Sequence, residues 1–504
     1  MKHQKKLAAA LACAMAVGLC AGHVLADGAT DSTQQVDPPL LIMPAPRPAP
    51  SESETESPDV ENADSALSGS ATTLPPAVAR KAFIVEGTSR PADLPAIEDA
   101  PGTVSFENLG PRMLEKNLNI MALDENIEAI NSVDYDEMEK GLKAAIAMLS
   151  TTQAQLKQQI SDTTAALEGL NALLNPENST LSPEMAAVLP AIVTSSKASI
   201  ISLTTTVTSM DAQLATYQDT LDQLKNGQIE EKYDDVLRQL GNGKRQILKG
   251  GESLYLALLG LEQTYQGLER NLASLDRTLA ELDIRYEMGQ ISALTLSEAK
   301  AGRTALVSGM TTLEMNMTAL RRQLEGMLGE KITGTIQLQP LTAVTNDELS
   351  RVDAAKDLDS VKRHSYDLRS AKDAYNTADD ELDAVRNNPM AAEYEEDMAY
   401  YNRSAAQITV EATEQSILLS FTTLCDQIRD QQQVLNAAQT SLAVKQSSYA
   451  AAQLKYEQGT ISYNTLMTAQ DAMDEAADAV DTAAIDLFTY YNNYCWAVEH
   501  GILN

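Results

Sequence analysis

Residues that could carry chemistry are sparse in this chain. Of four histidines, His3 and His23 fall in the first 26 residues, leaving His364 and His500, which no local motif pairs. Two of the four cysteines, Cys13 and Cys20, also lie there, leaving Cys425 and Cys495, for which one disulfide or two buried thiols fit equally well. There is no HExxH, CxxC, GxSxG or dinucleotide-binding glycine fingerprint. Gly241-Asn242-Gly243 precedes Lys244 but lacks the spacing and the Ser or Thr of a phosphate-binding loop. The run Glu393-Tyr394-Glu395-Glu396-Asp397 reads as solvated surface rather than as metal ligands. The expectation is a protein that is not an enzyme, with no catalytic residue, cofactor or metal. A formal net charge of −33, from 38 basic and 71 acidic residues, repels phosphate and so excludes nucleic acid as a partner.

What the residue types do support is backbone chemistry, and it occurs twice. Tyr286-Glu-Met-Gly289-Gln-Ile291-Ser292-Ala-Leu-Thr-Leu296-Ser-Glu-Ala299 is matched at eight of fourteen positions by Tyr456-Glu-Gln-Gly459-Thr-Ile461-Ser462-Tyr-Asn-Thr-Leu466-Met-Thr-Ala469. Gly289 and Gly459 can take the left-handed conformation that closes a helix, and Ser292 and Ser462 suit the N-cap of the next one. Ile291 with Leu296, and Ile461 with Leu466, have the spacing of a hydrophobic staple. Each copy predicts a tight reversal between two long helices.

The elements that position these turns follow from periodicity. Residues 1–26 read as a signal peptide, with a basic start, an apolar core and Val24-Leu25-Ala26 as a small-residue cleavage site. Residues 27–103, rich in Pro, Ser and Glu, read as a disordered linker. Apolar steps of three and four then predict a helical hairpin over 136–226, with Pro176, Pro183 and Pro190 breaking the pattern between its arms. Asn226-Gly227 and Gly241-Asn242-Gly243 predict further interruptions. From Leu254 to Tyr286 ten apolar residues recur without a polar break, and Leu306 to Met327 carries the returning helix to Gly329. Lys331 to Leu341 reads as a short extended piece, Asp347 to Asn387 as helix, and a long helix from about Ala406 leads to the second turn. Shifting the first stripe by 170 residues keeps Leu424, Ile428, Leu435, Leu442 and Tyr456 in register, so the duplication covers whole helices. The last helix is expected from Ser462 to about Val498, with Gly501 as its stop. Tyr265, Tyr286, Tyr449 and Tyr456 lie on the stripes and are read as packing residues. Beyond the signal no apolar run of about 18 residues is apparent, so no further membrane-spanning helix is expected. The fold class is therefore all-α dominated, with long antiparallel coiled-coil helices in two tandem repeats, 104–345 and 346–504, and at most a few short strands.

With its doubled Tyr-x-x-Gly-x-x-Ser turn, the Leu324-Glu-Gly-Met-Leu-Gly329 helix end and the following Lys331-Ile-Thr-Gly334, the chain resembles the TolC family of outer-membrane efflux and type I secretion channels. The resemblance implies a homotrimeric α-barrel in the cell envelope, at the outer membrane where the host has one. It implies a periplasmic adaptor and an inner-membrane transporter as partners, with Tyr286, Gly289, Ile291, Ser292, Tyr456, Gly459, Ile461 and Ser462 at the tip that meets the adaptor. Thr295 and Thr465 stand where family members often carry an acidic residue. No membrane-strand pair is legible between Pro176 and Pro190 or between Asn388 and Ala405, so helical loops are expected there. Two functions are consistent with this: a passive export conduit, and a barrel-less coiled-coil envelope spacer without channel activity. Whether the chain enters a membrane stays open at this level. Gly289→Val should disrupt the first turn and adaptor binding with far-UV helicity nearly unchanged; a global loss of helicity would show the turn to be mainly structural.

Overall fold

The computed structural model describes residues 80–85, 99–173 and 183–503. The signal peptide, most of the linker and Pro176 with its surrounding loop lie outside these residues. The chain divides into two compact units, one with described residues 134–173 and 183–229, the other holding the rest.

The first unit is a helical hairpin. Helices α3 (Tyr135–Leu173) and α4 (Pro183–Lys225) correspond to the expected hairpin over 136–226. Leu142 and Leu167 on α3 and Leu189, Val193, Val207 and Leu221 on α4 are buried along the seam. Two proline expectations are corrected: α4 begins at Pro183, where a missing N–H costs nothing, and Pro190 lies inside the helix. The loss of one hydrogen bond at Pro190 is tolerated because Leu189 and Val193 on either side both reach the seam. The expectation of no further membrane-spanning candidate is also corrected, since Ala187–Lys225 is long and apolar enough to cross a bilayer.

The second unit begins with β1 (Ile84–Val85), β2 (Thr103–Val104), α1 (Phe106–Lys116) and α2 (Leu118–Asn131). It continues with α5 (Gln228–Glu287), α6 (Ala293–Met327), β3 (Gln337–Leu338) and β4 (Leu341–Thr342). Helices α7 (Asn346–Ser350), α8 (Ala354–His364), α9 (Tyr366–Asn387), α10 (Glu393–Glu457) and α11 (Tyr463–His500) complete it. Asn117 separates α1 from α2, its side chain accepting from the N–H groups of Asn119 and Ile120. At about 1.5 Å per residue, the 60 residues of α5 run roughly 90 Å.

Three boundaries differ from expectation. Helix α5 passes through Gly241-Asn242-Gly243 without a break. Each glycine costs about 1 kcal/mol there, but packing outweighs it: Leu123 lies alongside Gly243, and Lys244 Nζ sits 2.7 and 2.9 Å from the Asp124 carboxylate. Helix α10 starts at Glu393 rather than near Ala406, because Glu393, Glu395 and Glu396 place negative charge on the positive end of the helix dipole. The expectation of a linker unbroken to residue 103 is corrected at residues 80–85 and 99–103. Phe83 is buried, Ile84–Val85 pairs in parallel with Leu341–Thr342, and Thr103–Val104 pairs with Gln337–Leu338. Phe83-Ile84-Val85 is an apolar, β-branched triplet inside a Pro- and Ser-rich stretch, too short to register as periodicity. Among the described residues these four two-residue strands are the only ones.

Two apolar clusters carry the second unit. One joins Phe83, Leu109, Met113, Ile120, Tyr255, Leu258, Leu324, Leu328 and Leu341; the other joins Val361, Leu368, Phe421, Cys425, Ile428, Leu487 and Ala497. The first is closed by a buried carboxylate. Glu325 accepts the backbone N–H groups of Gly334 at 2.6 Å, Thr335 at 2.9 Å and Ile336 at 3.1 Å, besides that of Thr333 and the Thr333 hydroxyl. Burial opposes its ionisation, but the Gly334 and Thr333 donors prevail and hold its pKa down at about 2. Because the folded pKa is depressed, the stabilisation is full above the unfolded carboxylate range and disappears as pH falls toward 2. Glu325→Gln should therefore cost about 1–3 kcal/mol at neutral pH. The penalty should shrink between about pH 5 and pH 2, as read from urea midpoints across that range; a pH-independent penalty would contradict the carboxylate's role.

Candidate functional site

The two turns form with near-identical geometry. After α5, Gly289 takes φ of 72°, its N–H donates to Tyr286 O at 2.9 Å, and Gln290 N–H donates to Arg285 O at 2.8 Å. After α10, Gly459 takes φ of 69°, its N–H donates to Tyr456 O at 2.9 Å, and Thr460 N–H donates to Lys455 O at 2.9 Å. Both are Schellman closures, in which a left-handed residue turns two N–H groups back onto orphan carbonyls. Nothing lies within 4 Å of where a Cβ would sit at either glycine, so glycine is required there by conformation and not by space.

The next helix then starts on serine. Ser292 Oγ accepts from Thr295 N–H at 3.1 Å, and Ser462 Oγ accepts from Thr465 N–H at 3.2 Å. The threonine hydroxyls lie 3.0 and 2.9 Å from the same serine oxygens. Thr295 and Thr465 thus belong to the cap itself. Ile291 and Ile461 are half-buried, and Leu296 and Leu466 are buried, as staple positions require. The packing expectation fails at two tyrosines: Tyr286 is 43% exposed and Tyr456 40%. Each lies on the last helical turn before the reversal, where the seam runs out of partner. Met288 and Leu294 are exposed at the first turn, and Tyr456 meets Tyr463 edge-on, ring centres 6.0 Å apart, at the second.

Sequence periodicity did not reveal how the two repeats are joined. Helices α5 and α11 run antiparallel and meet through a ladder of polar contacts. Glu252 accepts from Asn492 Nδ2 at 2.8 Å and Trp496 Nε1 at 2.5 Å; Gln263 Nε2 donates to Asp478 O at 2.7 Å and Thr482 Oγ1 at 2.9 Å. Arg270 pairs with Asp478, Arg277 donates to both oxygens of Asp471 at 2.5 and 2.6 Å, and Asn464 Nδ2 donates to Glu281 at 2.7 Å. The last contact ties the start of α11, just after the second turn, to the end of α5, just before the first. Burial pushes the Asp474 and Asp481 carboxyls upward, opposed by the Arg270 and Arg80 guanidinium groups. The signal was present as Arg, Gln and Asp on helices otherwise read for their leucines, but partners some 200 residues apart cannot be paired by local pattern.

The remaining reactive groups are engaged locally. His364 Nδ1 lies 2.9 Å from Val498 O. Cys425 and Cys495 are free thiols, and burial pushes each up to about 11, away from reactivity. Among the described residues no group of three or more His, Cys, Asp or Glu is placed to hold a metal.

No family model matches the chain, and no curated protein matches it. Its fold is similar to that of outer-membrane proteins of known structure. The outer membrane protein VceC from Vibrio cholerae shares 10% identity at a TM-score of 0.42, over 78% of this chain and 96% of that one. The outer-membrane channel OprN shares 13% at 0.43, over 82% and 99%. The CmeC outer membrane channel of Campylobacter jejuni shares 13% at 0.41, over 57% and 68%. At TM-scores below 0.5 the fold rests on the geometry above rather than on these likenesses.

The α5–α11 ladder makes a direct prediction. The Arg277 side chain is 6% exposed, so Asp471→Ala strands a buried guanidinium and should cost about 3 kcal/mol or more in urea unfolding. Replacing both partners, Arg277→Leu with Asp471→Leu, should recover most of that loss; an equal or larger loss in the double variant would contradict it.

Proposed function

We propose that the chain is the passive conduit component of an envelope export system, working as a homotrimer with a periplasmic adaptor and an inner-membrane transporter. The observation that carries this reading is the doubled turn. Two separated segments build the same Schellman closure and the same serine cap, within degrees and tenths of an ångström, each closing a long helical hairpin. A spacer needs only one way to reverse a helix; two matched reversals with glycine required by conformation alone point to paired tips meeting one partner. Tyr286, Met288, Leu294 and Tyr456 supply exposed apolar surface at these tips, in keeping with an adaptor contact. In this reading Gly289, Ile291, Ser292, Gly459, Ile461 and Ser462 shape the tip rather than react with cargo, and transport needs no chemistry from the chain.

The spacer reading keeps one supporting observation, that the described strands are two residues long. Conductance separates the two. Purified chain added to a planar bilayer with its adaptor should give discrete current steps, and Gly289→Val with Gly459→Val should abolish adaptor-dependent opening while trimers persist. Monomers in detergent together with a silent bilayer would leave the spacer reading in place.

A further inference from the structure

Helix α4 presents a face that its own chain does not cover. Over the membrane-length window within Ala187–Lys225 only 11% of residues are buried, unlike the core helix of a soluble protein. Val188, Ile192 and Ile201 are 56%, 43% and 67% exposed, so α3 does not cover them. Charge changes abruptly along the helix. In a chain with 71 acidic residues, 187–210 contains none and a single lysine, Lys197, after which Asp211, Asp219 and Asp222 follow. At about 1.5 Å per residue these 24 residues reach about 36 Å, against a bilayer hydrocarbon thickness of about 30 Å.

The five threonines of this stretch are already satisfied. Thr194, Thr204, Thr205, Thr206 and Thr208 each donate a hydroxyl to the carbonyl four residues earlier, at 2.7 to 3.0 Å. A hydroxyl bonded in this way needs no water and can sit in hydrocarbon. The lysine stem is long enough to carry its ammonium away from the hydrocarbon centre. The paired helix differs: over the facing residues α3 carries exposed Lys157, Asp162 and Glu168. The hairpin is therefore apolar on one helix and charged on the other.

We propose that the α3–α4 hairpin is a membrane-inserting element, with α4 facing lipid acyl chains over 187–210 and α3 turned to water. An apolar band of bilayer length, bounded by acidic residues at its end, fits hydrocarbon better than a second protein surface, which does not require charge to be excluded over a fixed length. The proposal rests on the conduit reading in one respect, since at bilayer depth α3 meets water only around a lumen; insertion and conductance are read separately.

The test uses the full chain mixed with phosphatidylcholine vesicles, with Cys13→Ala, Cys20→Ala, Cys425→Ala and Cys495→Ala removing the native thiols. An environment-sensitive fluorophore is placed by Ile201→Cys or, independently, by Ala198→Cys, with Asp219→Cys as the aqueous reference. With vesicles, emission at 201 and 198 should be quenched at least five-fold more by nitroxide on the acyl chains than by aqueous iodide, and the reverse should hold at 219. Iodide access at 201 and 198 in the presence of vesicles overturns the proposal. So does equal shielding with and without vesicles, which would mean that a second copy covers the face. Bilayer current is recorded separately, so a silent but inserted hairpin would count against the conduit alone.

Discussion

Two long hairpins that share an apolar cluster, in which Ile485 of α11 joins Tyr255 and Leu258 of α5, still need something to fix their register. In this chain that is the polar ladder between α5 and α11, with the buried Arg277 guanidinium on the Asp471 carboxylate at its centre. Apolar seams tolerate sliding by a heptad, because leucine meets leucine again after two turns. A carboxylate on a guanidinium that is only 6% exposed does not, since a shift of one turn strands a buried charge. The Asn464–Glu281 contact shows the consequence: with the ladder in register, the start of α11 lies beside the end of α5, so the second turn is tied to the first hairpin.

The turns themselves are local and nearly autonomous. Glycine supplies the left-handed residue, serine the cap, and isoleucine with leucine the staple, all within one short stretch. Elsewhere a glycine answers to space as well: a Cβ on Gly501 would lie 2.2 Å from Ser365 N, in a packed region. The open surroundings of Gly289 and Gly459 mark the turns as places where the backbone is constrained and the surface is left for something else.

Local signals were therefore legible and distant ones were not. The stripe from Leu254 to Leu282, the caps at Ser292 and Ser462 and the closures at Gly289 and Gly459 follow from spacing, and all are present. Glycines 241 and 243 misled, because tertiary packing on α2 outweighs helix propensity. Phe83–Val85 was hidden because three residues give no period, although they pair with residues more than 250 positions away. The α5–α11 ladder was invisible for the same reason. Tyr286 and Tyr456 lie on their stripes yet are exposed, because a stripe says nothing about where its partner ends. The apolar stretch of α4 is diluted by serines and threonines, and the threonine hydroxyls bond back to the helix rather than to water.

In the proposed conduit, two matched hairpins, locked by the α5–α11 ladder, repeat around an axis to enclose a passage. Single-particle imaging of the detergent-extracted protein tests it most directly. The account predicts a three-fold particle in which α5–α6 and α10–α11 of each copy line a continuous lumen with all six turns at one end. A monomer, or a closed bundle with no central space, would contradict it.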